Sequence, residues 1–157
     1  MVTLQQVYDA FLAKVTDDDW SDTGVTEEDL EWMVKDWRAL LQQAIPYFKF
    51  PKCSLLIDDY LGVFTDERMG DAEVAILTTY MKQQWVKRTI DTWENIKTQY
   101  DEKDFSQAHL LNQFIKLKAQ TAEEAEKLEA IYYRSPNHRP FNYQNLAGGK
   151  TRRRRGR

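Results

Sequence analysis

A single cysteine, Cys53, leaves the 157-residue chain without a disulfide framework. With no histidine near it in sequence, Cys53 reads as a small buried hydrophobe. The prolines are four, Pro46, Pro51, Pro136 and Pro140, and the glycines six, so two long runs go uninterrupted. That scarcity argues for a mostly helical chain. Histidine occurs only at His109 and His138, and neither has a second ligand at metal spacing. No apolar run approaches a membrane span, and the N-terminus has no signal-peptide core. The expectation is a soluble protein made in a cytoplasm. GxxxxGK, GxGxxG, GxSxG and HExxH are all missing. The adjacent acids Asp17–Asp19 and Asp58–Asp59 lack the neighbours that acid–base or metal chemistry needs, so they read as solvated loops. No enzyme, no metal and no cofactor is therefore expected.

Charge is present but unevenly spread. Lys150, Arg152, Arg153, Arg154, Arg155 and Arg157 hold 6 of the 22 basic residues, so residues 1–149 carry 16 basic and 25 acidic ones, a net charge of −9. An acidic body disfavours long-range attraction to nucleic acid, which leaves the basic end as the one segment suited to it.

The dominant pattern lies between Asp71 and Tyr133. Val74, Leu77, Met81, Trp85, Ile90, Trp93, Ile96 and Tyr100 recur mostly at steps of three and four, the spacing of one helix face. Leu110, Phe114, Leu117, Ala125, Leu128, Ile131 and Tyr132 do the same after Ser106, read as an N-cap. The short DEKDF link predicts antiparallel neighbours. Such a hairpin, with arms of roughly 40–45 Å, makes an elongated subunit suited to assembly.

Before it, Thr3 with Gln6 and Thr26 with Asp29 read as capping boxes opening two further helices. The first ends near Val15 and the second at Pro46. Trp20 sits in the acidic linker between them, as an anchor on the core or a contact with a neighbouring subunit. Tyr47–Gly70 is irregular. Alternation at Tyr47–Phe50, the run Ser54–Ile57 and a turn at Asp58–Asp59 leading into Tyr60–Phe64 predict one or two short strands. A lone hairpin is marginal in water, so it must pack on the helices or pair with a strand from another copy. The second outcome is the expectation, with Leu55, Ile57, Tyr60 and Phe64 joining Trp20 as inter-subunit residues. After Pro136 an extended arm, 136–157, carries Phe141, Tyr143 and Leu146 on a polar string. It should stay disordered unless another chain holds it. The fold class is thus mostly α: a helical bundle over 1–135 built on a long hairpin, with a strand insertion at about 47–70 and a C-terminal arm.

Several residues in this frame form a pattern: Glu73, Ile76-Leu77, Met81, Trp85, Arg88, Asp104-Phe105, Ser106-Gln107-Ala108 and Tyr132-Tyr133-Arg134. Upstream stand Asp18-Asp19-Trp20 and Ala44-Ile45 through Phe48-Lys49-Phe50-Pro51. Over residues 3–135 the chain resembles the neck proteins of tailed bacteriophages, the head–tail connectors. The resemblance implies a virion protein, a helical-bundle adaptor forming a ring of usually twelve copies beneath the portal. It also implies an arm docked on the portal, a stopper or tail completion protein on the opposite face, and packaged double-stranded DNA passing through. Under it, Asn137, Arg139, Phe141, Tyr143, Leu146, Arg152, Arg153, Arg154 and Arg155 are the portal-binding residues, and no membrane is involved. The terminal KTRRRRGR lies outside the pattern. It supports a different reading as well, a small nucleic-acid-binding or packaging-accessory protein whose arginines grip phosphates.

Overall fold

The computed structural model describes residues 1–15, 26–99 and 105–134, with the backbone alone for 93–99 and 105–110. Among these residues four helices pack together, with a small two-stranded antiparallel hairpin beside them. Helix α1 spans Leu4–Leu12, α2 Glu27–Ala44, α3 Asp71–Gln99 and α4 Phe105–Arg134. A 3₁₀ turn at Ile45–Tyr47 follows α2, with Pro46 inside it. Strands β1, Ile57–Asp58, and β2, Val63–Phe64, complete the set. The mostly helical fold with a long antiparallel pair and a strand insertion is the one expected.

Local chemistry explains where the helices start. Thr3 Oγ1 accepts from the Gln6 amide at 3.2 Å while Gln6 Oε1 accepts from the Thr3 amide at 2.9 Å, so both halves of the first capping box form. Thr26 and Asp29 repeat the arrangement at α2. Helix α3 opens differently. Its preceding residue is Gly70, which has no side chain to offer, and Glu73 Oε2 alone reaches back to the Gly70 amide at 3.0 Å. Helix α4 begins at Phe105, which places the expected cap Ser106 inside the helix.

Helix α3 is the central element, since α1, α2 and α4 all pack on it. Six consecutive residues, Ile76 to Met81, are buried. No single stripe can do that; neighbours must cover the helix on several sides. The threonines in this run satisfy their hydroxyls within the helix: Thr78 Oγ1 donates to the Val74 carbonyl at 2.8 Å and Thr79 Oγ1 to that of Ala75 at 2.8 Å. Lys14, at the end of α1, also donates to the Ala75 carbonyl at 3.0 Å and to Thr79 Oγ1 at 2.7 Å. Burial lowers its pKa, with Glu124 opposing that shift. From α2, Asp36 meets Arg88 of α3 in a two-pronged ion pair with oxygen–nitrogen distances of 2.5 and 2.9 Å.

The segment from Tyr47 to Phe64 corrects one expectation. Tyr47–Phe50 forms no strand, because the 3₁₀ turn takes up Tyr47 and the segment after it runs irregularly. Within the chain, the hairpin gains backbone support on its β2 edge. The segment before α1 pairs with β2: the Phe64 amide donates to the Val2 carbonyl at 3.0 Å and the Leu4 amide to that of Gly62 at 2.8 Å. The turn itself is locked by Asp58, whose Oδ1 accepts from the Tyr60 and Leu61 amides at 2.9 and 3.1 Å. Gly62 closes it with φ of 64°, a backbone angle that a side chain resists.

Candidate functional site

The residues singled out from sequence fall into three groups. Trp20 and the whole arm, Asn137, Arg139, Phe141, Tyr143, Leu146 and Arg152–Arg155, lie outside the described residues. Leu55 and Ile57 are half-buried against the chain's own core, and Phe64 is fully buried in it at 0% exposure. Phe64 is therefore a core residue of the single chain. Tyr60, at 96% exposure, is the one of the four hairpin residues that stands free in solvent, with Leu61 and Leu56 exposed beside it.

What the structure does define is the base from which the arm departs. The last turn of α4, the first turn of α3 and the loop after the 3₁₀ turn converge there. Tyr132 Oη donates to Glu73 Oε1 at 2.7 Å and accepts from the Lys52 amide at 2.8 Å. Lys52 Nζ donates to the Tyr132 carbonyl at 2.7 Å and lies 4.2 Å from the centre of the Tyr132 ring. A cation at this position suits a helix C-terminus, where carbonyls lack intrahelical donors and the dipole is negative. One turn deeper, Tyr80 Oη donates to Glu129 Oε1 at 2.6 Å. Both glutamates are buried, Glu73 at 7% and Glu129 at 9% exposure, and each accepts a tyrosine hydroxyl. Both phenols are pushed above their ordinary range, first by burial and then by their hydrogen bonds to Glu129 (Tyr80) and Glu73 (Tyr132).

Aromatic rings extend this base to the surface. Phe48 meets Tyr132 edge-on at 5.5 Å, Tyr132 meets Tyr133 at 5.5 Å, and Phe50 meets Tyr133 at 6.4 Å. Tyr47 lies 5.9 Å from Tyr80. Tyr47 and Phe50 form the outer edge of this aromatic shelf, Phe50 with 72% of its surface exposed.

A second anchor holds the hairpin in place. Asp66 accepts from the Ser54 amide at 2.7 Å and from Arg68 through its amide at 3.0 Å, Nε at 3.0 Å and Nη2 at 2.7 Å. Arg68 and the Ser54 amide hold its carboxyl well below the usual carboxylate range. Asp59 of the turn pairs with Arg38 of α2. Cys53 is buried nearby, its thiol pushed up to about 11 by burial first and then by Glu73 and Asp66.

Residues of the sequence pattern between Glu73 and Arg134 find partners at separate places along α3. Glu73 and Tyr132 are directly bonded, Arg88 binds Asp36, and Trp85 stacks edge-on with Phe114 at 6.3 Å. Sequence reading missed Lys52, Asp36 and Glu129 as their partners, because nothing local marks a contact between residues so far apart along the chain. Among the described residues no group of three or more His, Cys, Asp or Glu could hold a metal ion, and no helix is long and apolar enough to cross a membrane. A scan of protein-family models, a search of curated proteins and a search of solved structures each returned no match.

Proposed function

We propose that the protein is a structural head–tail connector, an adaptor of tailed-bacteriophage type. Copies of it assemble as a ring, a dodecamer, beneath the portal, join the capsid to the tail through a stopper or tail completion protein, and line the channel that packaged DNA leaves through. The observation that carries this reading is the Glu73–Tyr132 bond. It joins the two ends of the segment that resembles the connectors, and it does so where the arm leaves α4. A rigid, cross-braced base there would aim the arm at a partner, with Phe141 and Tyr143 as anchors and the arginines bonding to portal carboxylates. The net charge of −9 over residues 1–149 also suits a conduit, since a weakly repulsive wall lets a polyanion slide rather than stick.

Removal of residues 136–157 tests it. The truncated bundle should keep its helical circular dichroism yet lose attachment to portal rings in sedimentation. Undiminished attachment would refute the assignment of the arm.

Four consecutive arginines, Arg152–Arg155, favour a second reading, a nucleic-acid-binding or packaging-accessory protein. The two separate by salt. With six basic residues on phosphates, affinity for duplex DNA should fall with a log–log slope of about −5, and deleting residues 150–157 should abolish it. A connector whose tail grips protein shows neither behaviour.

A further inference from the structure

Helix α2 carries an exposed flank that is both acidic and apolar. Residues 27–34 hold four acids, Glu27, Glu28, Asp29 and Glu31, and no base. Asp29 serves the capping box, while Glu27 and Glu31 are exposed, Glu31 with only a loose contact to Lys35 at 3.6 Å. Glu27, Leu30, Glu31 and Val34 stand at i, i+3, i+4 and i+7, the spacing of one helix face. Leu30 and Val34 are both exposed, although they lie beside the buried Met33 and Trp37. One turn on, Arg38 pairs with Asp59 and so brings the exposed Tyr60 of the hairpin turn to the same flank.

The middle of α4 repeats that spacing with the opposite charge. Ile115, Lys118, Ala119 and Ala122 stand at i, i+3, i+4 and i+7. Residues 112–122 hold two bases, Lys116 and Lys118, and no acid. Ile115, Lys116, Lys118 and Ala119 are exposed. The small alanines let a second helix come close, and the lysine stems can lie along it while their ammonium groups reach outward. Both α2 and α4 pack chiefly on α3, and both faces are exposed, so neither covers the other within the chain.

We propose that the Glu27–Val34 flank of one copy docks on the Ile115–Ala122 face of a second copy. Leu30 and Val34 then rest against Ile115 and the two alanines, with Glu27 and Glu31 facing Lys116 and Lys118. Opposite charge chooses the partner: α2 on α2 would set acid against acid, and α4 on α4 base against base. The contact joins two unlike surfaces, so it repeats from copy to copy until an open chain or a closed ring results. It supplies the surfaces that the ring of the connector reading leaves unnamed, and it rests on that reading only for closure; the pairing itself is a property of the isolated protein.

Sedimentation velocity of the full-length protein over a concentration series at low salt tests the contact. Two double variants, Glu27→Lys with Glu31→Lys and Lys116→Glu with Lys118→Glu, change exposed side chains and should keep the helical circular dichroism. Wild type should gain mass as concentration rises, and each double variant alone should raise the Kd of self-association about tenfold. An equimolar mixture of the two should return to the wild-type value, because each reversed face then meets its complement. A wild type that stays monomeric at every concentration, association that both variants leave unchanged, or a mixture as weak as its components would each overturn the proposal. Weakening by only one of the two variants would also overturn it, by making some other segment the occupant. Portal attachment on deletion of residues 136–157 bears only on the connector reading, and association through other surfaces would strike this contact while sparing the ring, so the two proposals fail separately.

Discussion

Glu73 and Tyr132 stand 59 residues apart in sequence and are joined by a 2.7 Å hydrogen bond that also closes the hairpin of α3 and α4. The same carboxylate caps α3 through the Gly70 amide, and the same hydroxyl accepts from the Lys52 amide. Tyr132→Phe would leave a buried carboxylate short of a donor and a backbone amide short of an acceptor. It should destabilise the fold by about 1–3 kcal/mol in urea unfolding. Glu73→Ala, which also uncaps α3, should be the more damaging change.

The raised Tyr80 and Tyr132 phenols set the response to alkali. Their unfolded pKa is the ordinary 10.0, and the folded one lies above it. The neutral phenol is thus favoured in the folded state, a contribution fully present below pH 10 and lost as pH rises through the folded values. Thermal melts should show stability falling above about pH 10. Tyr80→Phe should flatten that decline relative to wild type, even though it lowers stability at neutral pH. An unchanged alkaline slope in the variant would argue against this origin.

Asp36 and Arg88 tie α2 to α3 through two nitrogen–oxygen contacts, with the carboxylate mostly shielded and the guanidinium about half exposed. A double-mutant cycle on Asp36→Ala and Arg88→Ala should give a coupling of about 1 kcal/mol. Arg88→Lys should recover little of it, since an ammonium cannot reproduce the planar two-pronged contact.

The hairpin offers a paired comparison. Phe64→Ala should cost about 3–5 kcal/mol, the penalty for emptying a sealed core position. Tyr60→Ala, at the exposed turn, should change monomer stability by less than about 0.5 kcal/mol. If the turn serves in assembly, Tyr60→Ala should act there instead, seen as a shift in oligomer mass at constant melting temperature.

Cys53 should be inert in the native protein. Its thiol, raised to about 11, is almost wholly protonated at pH 8, and the core encloses it. Reaction with a disulfide reagent at pH 8 should be on the order of a hundredfold slower than for the urea-unfolded chain. Rapid native labelling would show that the segment opens readily.

The legible parts of the fold are those with a local cause. Thr3 with Gln6 and Thr26 with Asp29 mark helix starts because both partners of each box lie within one turn. Pro46 marks a stop for the same reason. The threonines of α3 were illegible as core residues, since Thr78 and Thr79 look polar until their hydroxyls are bonded to the preceding turn. A helix covered on several sides also blurs the one-sided stripe that periodicity detects. At the base of the arm, Glu73 and Tyr132 stand out in the pattern, but Lys52 does not. Its role depends on where the loop after α2 lands, and only packing decides that. The pairing of β2 with Val2–Leu4 is likewise illegible, because an open strand edge accepts any extended segment that packing brings to it.

That short pairing has a bearing on how the protein comes to be made. Val2 and Leu4 emerge from the ribosome early, yet their backbone partners Gly62 and Phe64 follow only after both α1 and α2 have been synthesised. The backbone pairing of Val2 and Leu4 therefore cannot form until residues 62–64 have been made.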